Sequence, residues 1–162
     1  MTEGDITALA RKLGLSCRRR GVTVATAESC TGGGVAEAIT RIAGSSAWFD
    51  RGFVTYQDLA KEQMLGVKQH TLEQHGAVSG EVAREMALGA LRHSQAAVSV
   101  AITGIAGPGG AVPGKPVGTV WLAWAAPKAG VQVRAFHLKG GRAEVRIQSV
   151  SIAIQGLIDL LS

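Results

Sequence analysis

Apolar positions along the chain change period several times, and each change marks an element. Ile6, Leu9, Leu13 and Cys17 share one helical face, so the spacing predicts a first helix over about Asp5 to Arg19, with Asp5 as N-cap and Gly21 as its stop. Val22 to Ala27 is a short apolar strand, and Val35 to Ile39 carries the apolar face of a second helix reaching about Ile42. Trp48 to Tyr56, rich in aromatic and β-branched residues, predicts a strand; Gln57 to Leu65 predicts a short helix bearing Lys61. A polar connection through Gly66 and Gly76 then leads to Ser79, which caps a helix ending near His93. Ala96 to Thr103 is continuously apolar, as a strand covered on both faces must be. Gly118 to Ala126 and Val131 to Leu138, joined by Pro127-Lys128-Ala129-Gly130, form a hairpin. In the last helix Ile147, Val150, Ile154, Leu157, Ile158 and Leu161 make one wide apolar stripe.

Helices alternating with apolar strands and ending in a hairpin predict an α/β fold, a three-layer α/β/α sandwich whose mixed, mostly parallel sheet has about five strands. The length, 162 residues with 46% hydrophobic, suits one domain over residues 1–162. The net charge of +5 favours an anionic partner. Its one basic run, Arg18-Arg19-Arg20, has no interleaved aromatic residue, so no nucleic-acid partner is expected. Cys17 and Cys30 are the only cysteines and match neither a disulfide framework nor a metal-ligand spacing. With no signal peptide or membrane-spanning run in view, a cytoplasmic protein without a membrane partner is expected, needing no metal and no cofactor.

Candidate chemistry gathers in three loops that follow strands, where ligands collect in open α/β sheets. The first is Ala25-Thr26-Ala27-Glu28-Ser29-Cys30-Thr31-Gly32-Gly33-Gly34, a strand turning straight into a helix with free N–H groups suited to an anion or a developing oxyanion. Ser29 there could cap, bind or attack, and Thr31 could equally be the cap; the pattern does not decide. The second is the glycine- and proline-rich stretch from Thr103 and Gly104 to Pro116, whose glycines could cradle phosphate although no Walker pattern is present. The third is Gly140-Gly141-Arg142, where an arginine opposes the helix dipole and so suits a phosphate or carboxylate. None of the four histidines is placed as a base for Ser29. Lys61 is the remaining candidate, provided that desolvation lowers its pKa; on spacing alone it pairs with Asp58. Tyr56 reads equally as an interface aromatic.

Taken in order, Ala27-Glu28-Ser29-Cys30-Thr31-Gly32-Gly33, Ala43-Gly44-Ser45-Ser46-Ala47-Trp48-Phe49, Gly52-Phe53-Val54-Thr55-Tyr56, His75-Gly76-Ala77-Val78-Ser79, Gly104-Ile105-Ala106-Gly107-Pro108 and Lys115-Pro116-Val117-Gly118-Thr119-Val120 resemble the CinA C-terminal domain family, which includes stand-alone nicotinamide mononucleotide deamidases. The resemblance spans nearly the whole chain. It implies hydrolysis of the nicotinamide carboxamide to nicotinate mononucleotide and ammonia, by a serine nucleophile with a lysine and a tyrosine nearby that map onto Ser29, Lys61 and Tyr56. On that reading the N–H groups of Cys30, Thr31 and Gly32 hold the oxyanion, Thr103 and Gly104 line the ring and ribose, and Arg142 meets the phosphate. The substrate is then a small nucleotide and the assembly a homo-oligomer, a dimer or higher. Two positions depart from the family: Gln57 and Asp58 follow Tyr56 where Ser-Asn is frequent, and Gly141 stands where an acidic residue often precedes the arginine. The alternative is a catalytically silent nucleotide-binding or regulatory module related to competence or DNA damage.

Overall fold

The computed structural model describes residues 1–162. Its sheet contains β1 (Val24–Glu28), β2 (Phe49–Val54), β3 (Val98–Gly104), β4 (Thr119–Ala126) and β5 (Gly130–His137) in the order β2-β1-β3-β4-β5. Strand β1 runs parallel to both β2 and β3, whereas β4 is antiparallel to β3 and to β5. This is the expected mixed sheet with one reversed strand, and it brings the C-terminal ends of β1, β2, β3 and β5 to one edge.

The pleat divides the core in two. Val24, Val98, Val100, Ile102, Val120, Leu122 and Trp124 point to the face covered by α1 (Glu3–Arg20), α2 (Gly34–Thr40) and α6 (Arg142–Leu160). The alternate positions Ala25, Ala27, Ala101, Ala123 and Ala125 face α3 (Asp58–Leu65), α4 (Gln69–His75) and α5 (Gly80–Arg92). Two cross-strand rows of small residues, Ala27-Ala101-Ala123 and Ala25-Ser99-Ala125, let α5 lie close, near enough for Ser99 Oγ to donate to the Ala87 carbonyl at 2.8 Å. Large side chains fill the other face, where the Trp124 indole N–H donates to the Ala153 carbonyl at 3.0 Å. A Cβ at Gly156 would run into that indole. Gly156→Ala should therefore lower unfolding stability by about 1–3 kcal/mol, as overpacking does; a thermal or urea midpoint equal to the wild type would contradict it.

Several boundaries differ from the sequence reading. The N-cap of α1 is Thr2, with Asp5 three residues on completing a capping box: Asp5 N–H donates to Thr2 Oγ1 at 3.1 Å and Thr2 N–H to Asp5 Oδ2 at 2.8 Å. Asp5 is thus the far half of the cap and not the cap itself. Strand β2 stops at Val54, leaving Tyr56 beyond it, and the polar connection contains α4, which buries only Thr71 and Leu72. Ser79 does cap α5, accepting from Val82 N–H at 3.2 Å. No helix is long and apolar enough to cross a membrane.

Candidate active site

At the edge where β1, β2, β3 and β5 end, a cleft of about 250 Å³ opens between the Ser29 turn, the start of α3, the Ala77-Val78 segment and the loop from Thr103 to Gly110. Ser29, Cys30, Tyr56, Lys61, Thr103, Gly104 and Arg142 all line it. A larger groove of about 620 Å³ between α1, α6 and the β4–β5 hairpin holds no nucleophile–base pair.

Ser29 is not an N-cap. The helix that follows begins after Gly33, which supplies no side-chain cap, and the free N–H groups at its start are taken by the Glu28 carboxylate. Thr31 is not the cap either, since its hydroxyl donates to Glu28. Ser29 Oγ is therefore released toward the cleft, where it lies 3.1 Å from Lys61 Nζ.

Lys61 does not pair with Asp58. Its side chain is 1% exposed, and Nζ lies 2.9 Å from the Thr55 carbonyl and 3.2 Å from the Tyr56 carbonyl as well as near Ser29 Oγ. Burial holds its pKa below the usual lysine value, against the opposing pull of Asp58 and Cys30. Three acceptors surround Nζ, the two carbonyls and Ser29 Oγ; once the amine loses a proton, its lone pair can take the position facing the serine hydroxyl. Cys30, next to the serine, is pushed up to about 11, chiefly by burial, so near neutral pH it is a thiol and a poor nucleophile.

The backbone of the turn supplies donors selectively. Ser29 N–H is taken by the Ile102 carbonyl at 2.9 Å and Gly32 N–H by the Ser29 carbonyl at 3.0 Å, whereas Cys30 and Thr31 N–H have no protein acceptor. Of the three amides expected to face an oxyanion, Gly32 is thus already engaged, and neither Thr31 nor Gly32 lines the cleft. Tyr56 meets Lys61 with its carbonyl, while its half-exposed hydroxyl accepts from Arg142 Nη2 at 2.9 Å. Arg142 Nη1 donates to the Gly107 carbonyl at 2.9 Å, so the guanidinium spans the mouth from β2's exit to the glycine loop. Thr103 Oγ1 donates to the Ala77 carbonyl at 2.8 Å and ties two walls together. A Cβ at Gly104 would stand 2.8 Å from Val120 Cγ2, which explains glycine where the strand leaves the sheet.

Asp58, Ala77 and Val78 also line the cleft and Glu28 lies behind the turn, none of them marked as site residues by sequence pattern. Glu28 did leave a signal: an acidic residue directly continuing an apolar strand, at a position where burial is costly.

The fold and cleft define a three-layer α/β/α domain whose candidate site sits at the C-terminal ends of its parallel strands, around a serine in contact with a buried lysine. Residues 6–161 match the CinA C-terminal domain model, and the chain belongs to that family. It is 52% identical over 157 residues to a protein of Escherichia coli (strain K12) named nicotinamide-nucleotide amidohydrolase PncC, covering 97% of this chain and 95% of that one. A protein of the same name from Pseudomonas putida is 51% identical over 159 residues, covering 96% of each. The crystal structure of a competence/damage inducible protein, CihA, from Agrobacterium tumefaciens superposes with a TM-score of 0.95 at 50% identity, covering 98% of this chain and 96% of that one.

Proposed function

We propose that this chain hydrolyses the carboxamide of nicotinamide mononucleotide to nicotinate mononucleotide and ammonia, with Ser29 as nucleophile and Lys61 as general base. The observation that carries this reading is the 3.1 Å approach of Ser29 Oγ to a buried lysine whose pKa is lowered. The substrate follows from the nicotinamide-nucleotide amidohydrolases that match nearly the whole chain.

In the first half-reaction Ser29 Oγ attacks the carboxamide carbon and its proton passes to the Lys61 lone pair. The Cys30 N–H stabilises the oxyanion, such a donor contributing roughly 3–4 kcal/mol. Collapse expels ammonia, which takes the proton back from Lys61 and leaves an acyl-serine. Water then attacks the ester, giving its proton to Lys61, and nicotinate mononucleotide departs as Ser29 recovers its hydrogen. Tyr56 orients the base through its carbonyl and Arg142 through its hydroxyl, with no proton relayed through the ring. Thr103 and Gly104 border the ring and ribose, and Arg142 receives the phosphate.

An ammonia-release assay across nicotinamide mononucleotide, nicotinamide riboside and nicotinamide tests the reading; binding of the nucleotide with no release of ammonia would replace it with a silent binding module. Arg142→Ala should raise KM for nicotinamide mononucleotide by roughly tenfold to a hundredfold, the equivalent of a charge-assisted hydrogen bond, and leave the riboside nearly unaffected. Equal losses on both substrates would remove Arg142 from the phosphate.

A further inference from the structure

Glu28 is the residue on which the Ser29 turn is built, yet it touches neither Lys61 nor the cleft. It is 1% exposed at the end of β1, one residue before the nucleophile. An isolated buried carboxylate is expensive, and three donors converge on this one: Thr31 Oγ1 at 2.6 Å and Val35 N–H at 2.8 Å reach Oε1, and Ala36 N–H at 3.0 Å reaches Oε2. Two of these are N–H groups at the start of α2, the task usually done by a Ser, Thr, Asp or Asn at the N-cap. Here Gly33 occupies that position with φ +100° and caps nothing.

The main chain of Glu28 links the same parts. Its carbonyl accepts from Thr55 N–H at 2.9 Å, and the Thr55 carbonyl accepts from Lys61 Nζ at 2.9 Å. The next amide, Ser29 N–H, is fixed to Ile102. One residue therefore ties the base's anchor, the turn and α2 into a single arrangement. Were Ser29 or Thr31 to cap α2 instead, the hydroxyl of the first would leave Lys61, or the amide of the second would turn with its side chain.

We infer that Glu28 is a positioning residue for catalysis: by capping α2 from outside the helix and holding Thr31, its carboxylate keeps Ser29 Oγ at Lys61 and leaves the Cys30 amide free for the oxyanion. This rests on the serine–lysine reading above. A shift of about 1 Å at a reacting group can cost on the order of 10²-fold in rate without loss of binding.

The test compares Glu28→Gln, Thr31→Val and Ser29→Ala, scoring kcat and KM for nicotinamide mononucleotide, thermal midpoint, and the rate at which a fluorophosphonate labels Ser29. Glu28→Gln keeps the shape but turns an NH₂ toward an N–H donor; kcat and the labelling rate should both fall by about 10²-fold, with KM within about threefold. Thr31→Val removes only the 2.6 Å bond and should cost kcat about tenfold. A merely structural Glu28 would lower the midpoint while leaving kcat and labelling of the folded fraction unchanged, and that result overturns the inference. If Glu28→Gln does not fold, Thr31→Val decides, and unchanged kcat and labelling there overturn it equally. Failure of the underlying reading looks different: Ser29→Ala would then retain activity, whatever the Glu28 and Thr31 variants do.

Discussion

Ser29→Ala is expected to reduce ammonia release from nicotinamide mononucleotide by about 10⁴- to 10⁶-fold, the scale on which a covalent nucleophile is lost. The reason is specific to this cleft. The neighbouring thiol, Cys30, cannot readily take over, because burial raises its pKa to about 11 and it offers little thiolate. No histidine lines the cleft to activate water in place of the serine. Ser29 Oγ has Lys61 as its sole side-chain partner, so its removal leaves Nζ still bonded to two carbonyls and the thermal midpoint close to the wild type. Substrate binding should survive, because the proposed phosphate contact is remote in the chain, at Arg142. Near-normal turnover in the folded variant would take serine out of the nucleophile's role.

Lys61→Met should lower kcat by about 10²- to 10⁴-fold with KM little changed, since methionine fills the space while removing the base and its bonds to the Thr55 and Tyr56 carbonyls, which lie behind the serine. A change confined to KM would contradict the assignment. The pH dependence gives an independent measure. Only the neutral amine can accept the serine proton, so kcat/KM of the wild type should rise with pH along a limb whose midpoint lies below 10.5, the ordinary lysine value from which burial lowers it. Asp58 holds that pKa up, so Asp58→Asn should move the limb to lower pH. Stability carries the same signature. Between the lowered folded pKa and 10.5 the unfolded chain binds more protons than the folded one, so wild-type stability increases as pH rises through that window and is lost as pH falls through the folded pKa. Lys61→Met should abolish this increase; a pH–stability curve identical to the wild type would show that the lysine is not desolvated.

Glu28 and Lys61 illustrate why one part of the site was legible in the sequence and another was not. Ser29 and its glycine turn stand out because strand-to-helix junctions have local chemistry, but the same chemistry makes a serine there look like a cap. What settles the matter is a carboxylate directed from the preceding strand onto helix amides seven and eight residues ahead. Spacing on α3 makes Lys61 a surface partner of Asp58, whereas the packing of α3 turns its amine inward onto the ends of β1 and β2. Likewise α4 is not legible in the sequence, because seven residues burying only Thr71 and Leu72 are too short to display a period.

The sequence by itself determined what depends on local periodicity: helices α1, α5 and α6, the continuously apolar β3, the β4–β5 hairpin, and through its ordered motifs the family. These follow from side-chain alternation at a period of two or 3.6, which any single element displays along its own length. The tertiary structure alone decided which groups meet. Burial of Lys61, the freedom of the Cys30 and Thr31 amides, and the engagement of Arg142 with Tyr56 and Gly107 each depend on strands β1, β2, β3 and β5 ending at one edge. Contacts between residues tens of positions apart carry no local periodicity, so they exist only once the sheet has assembled.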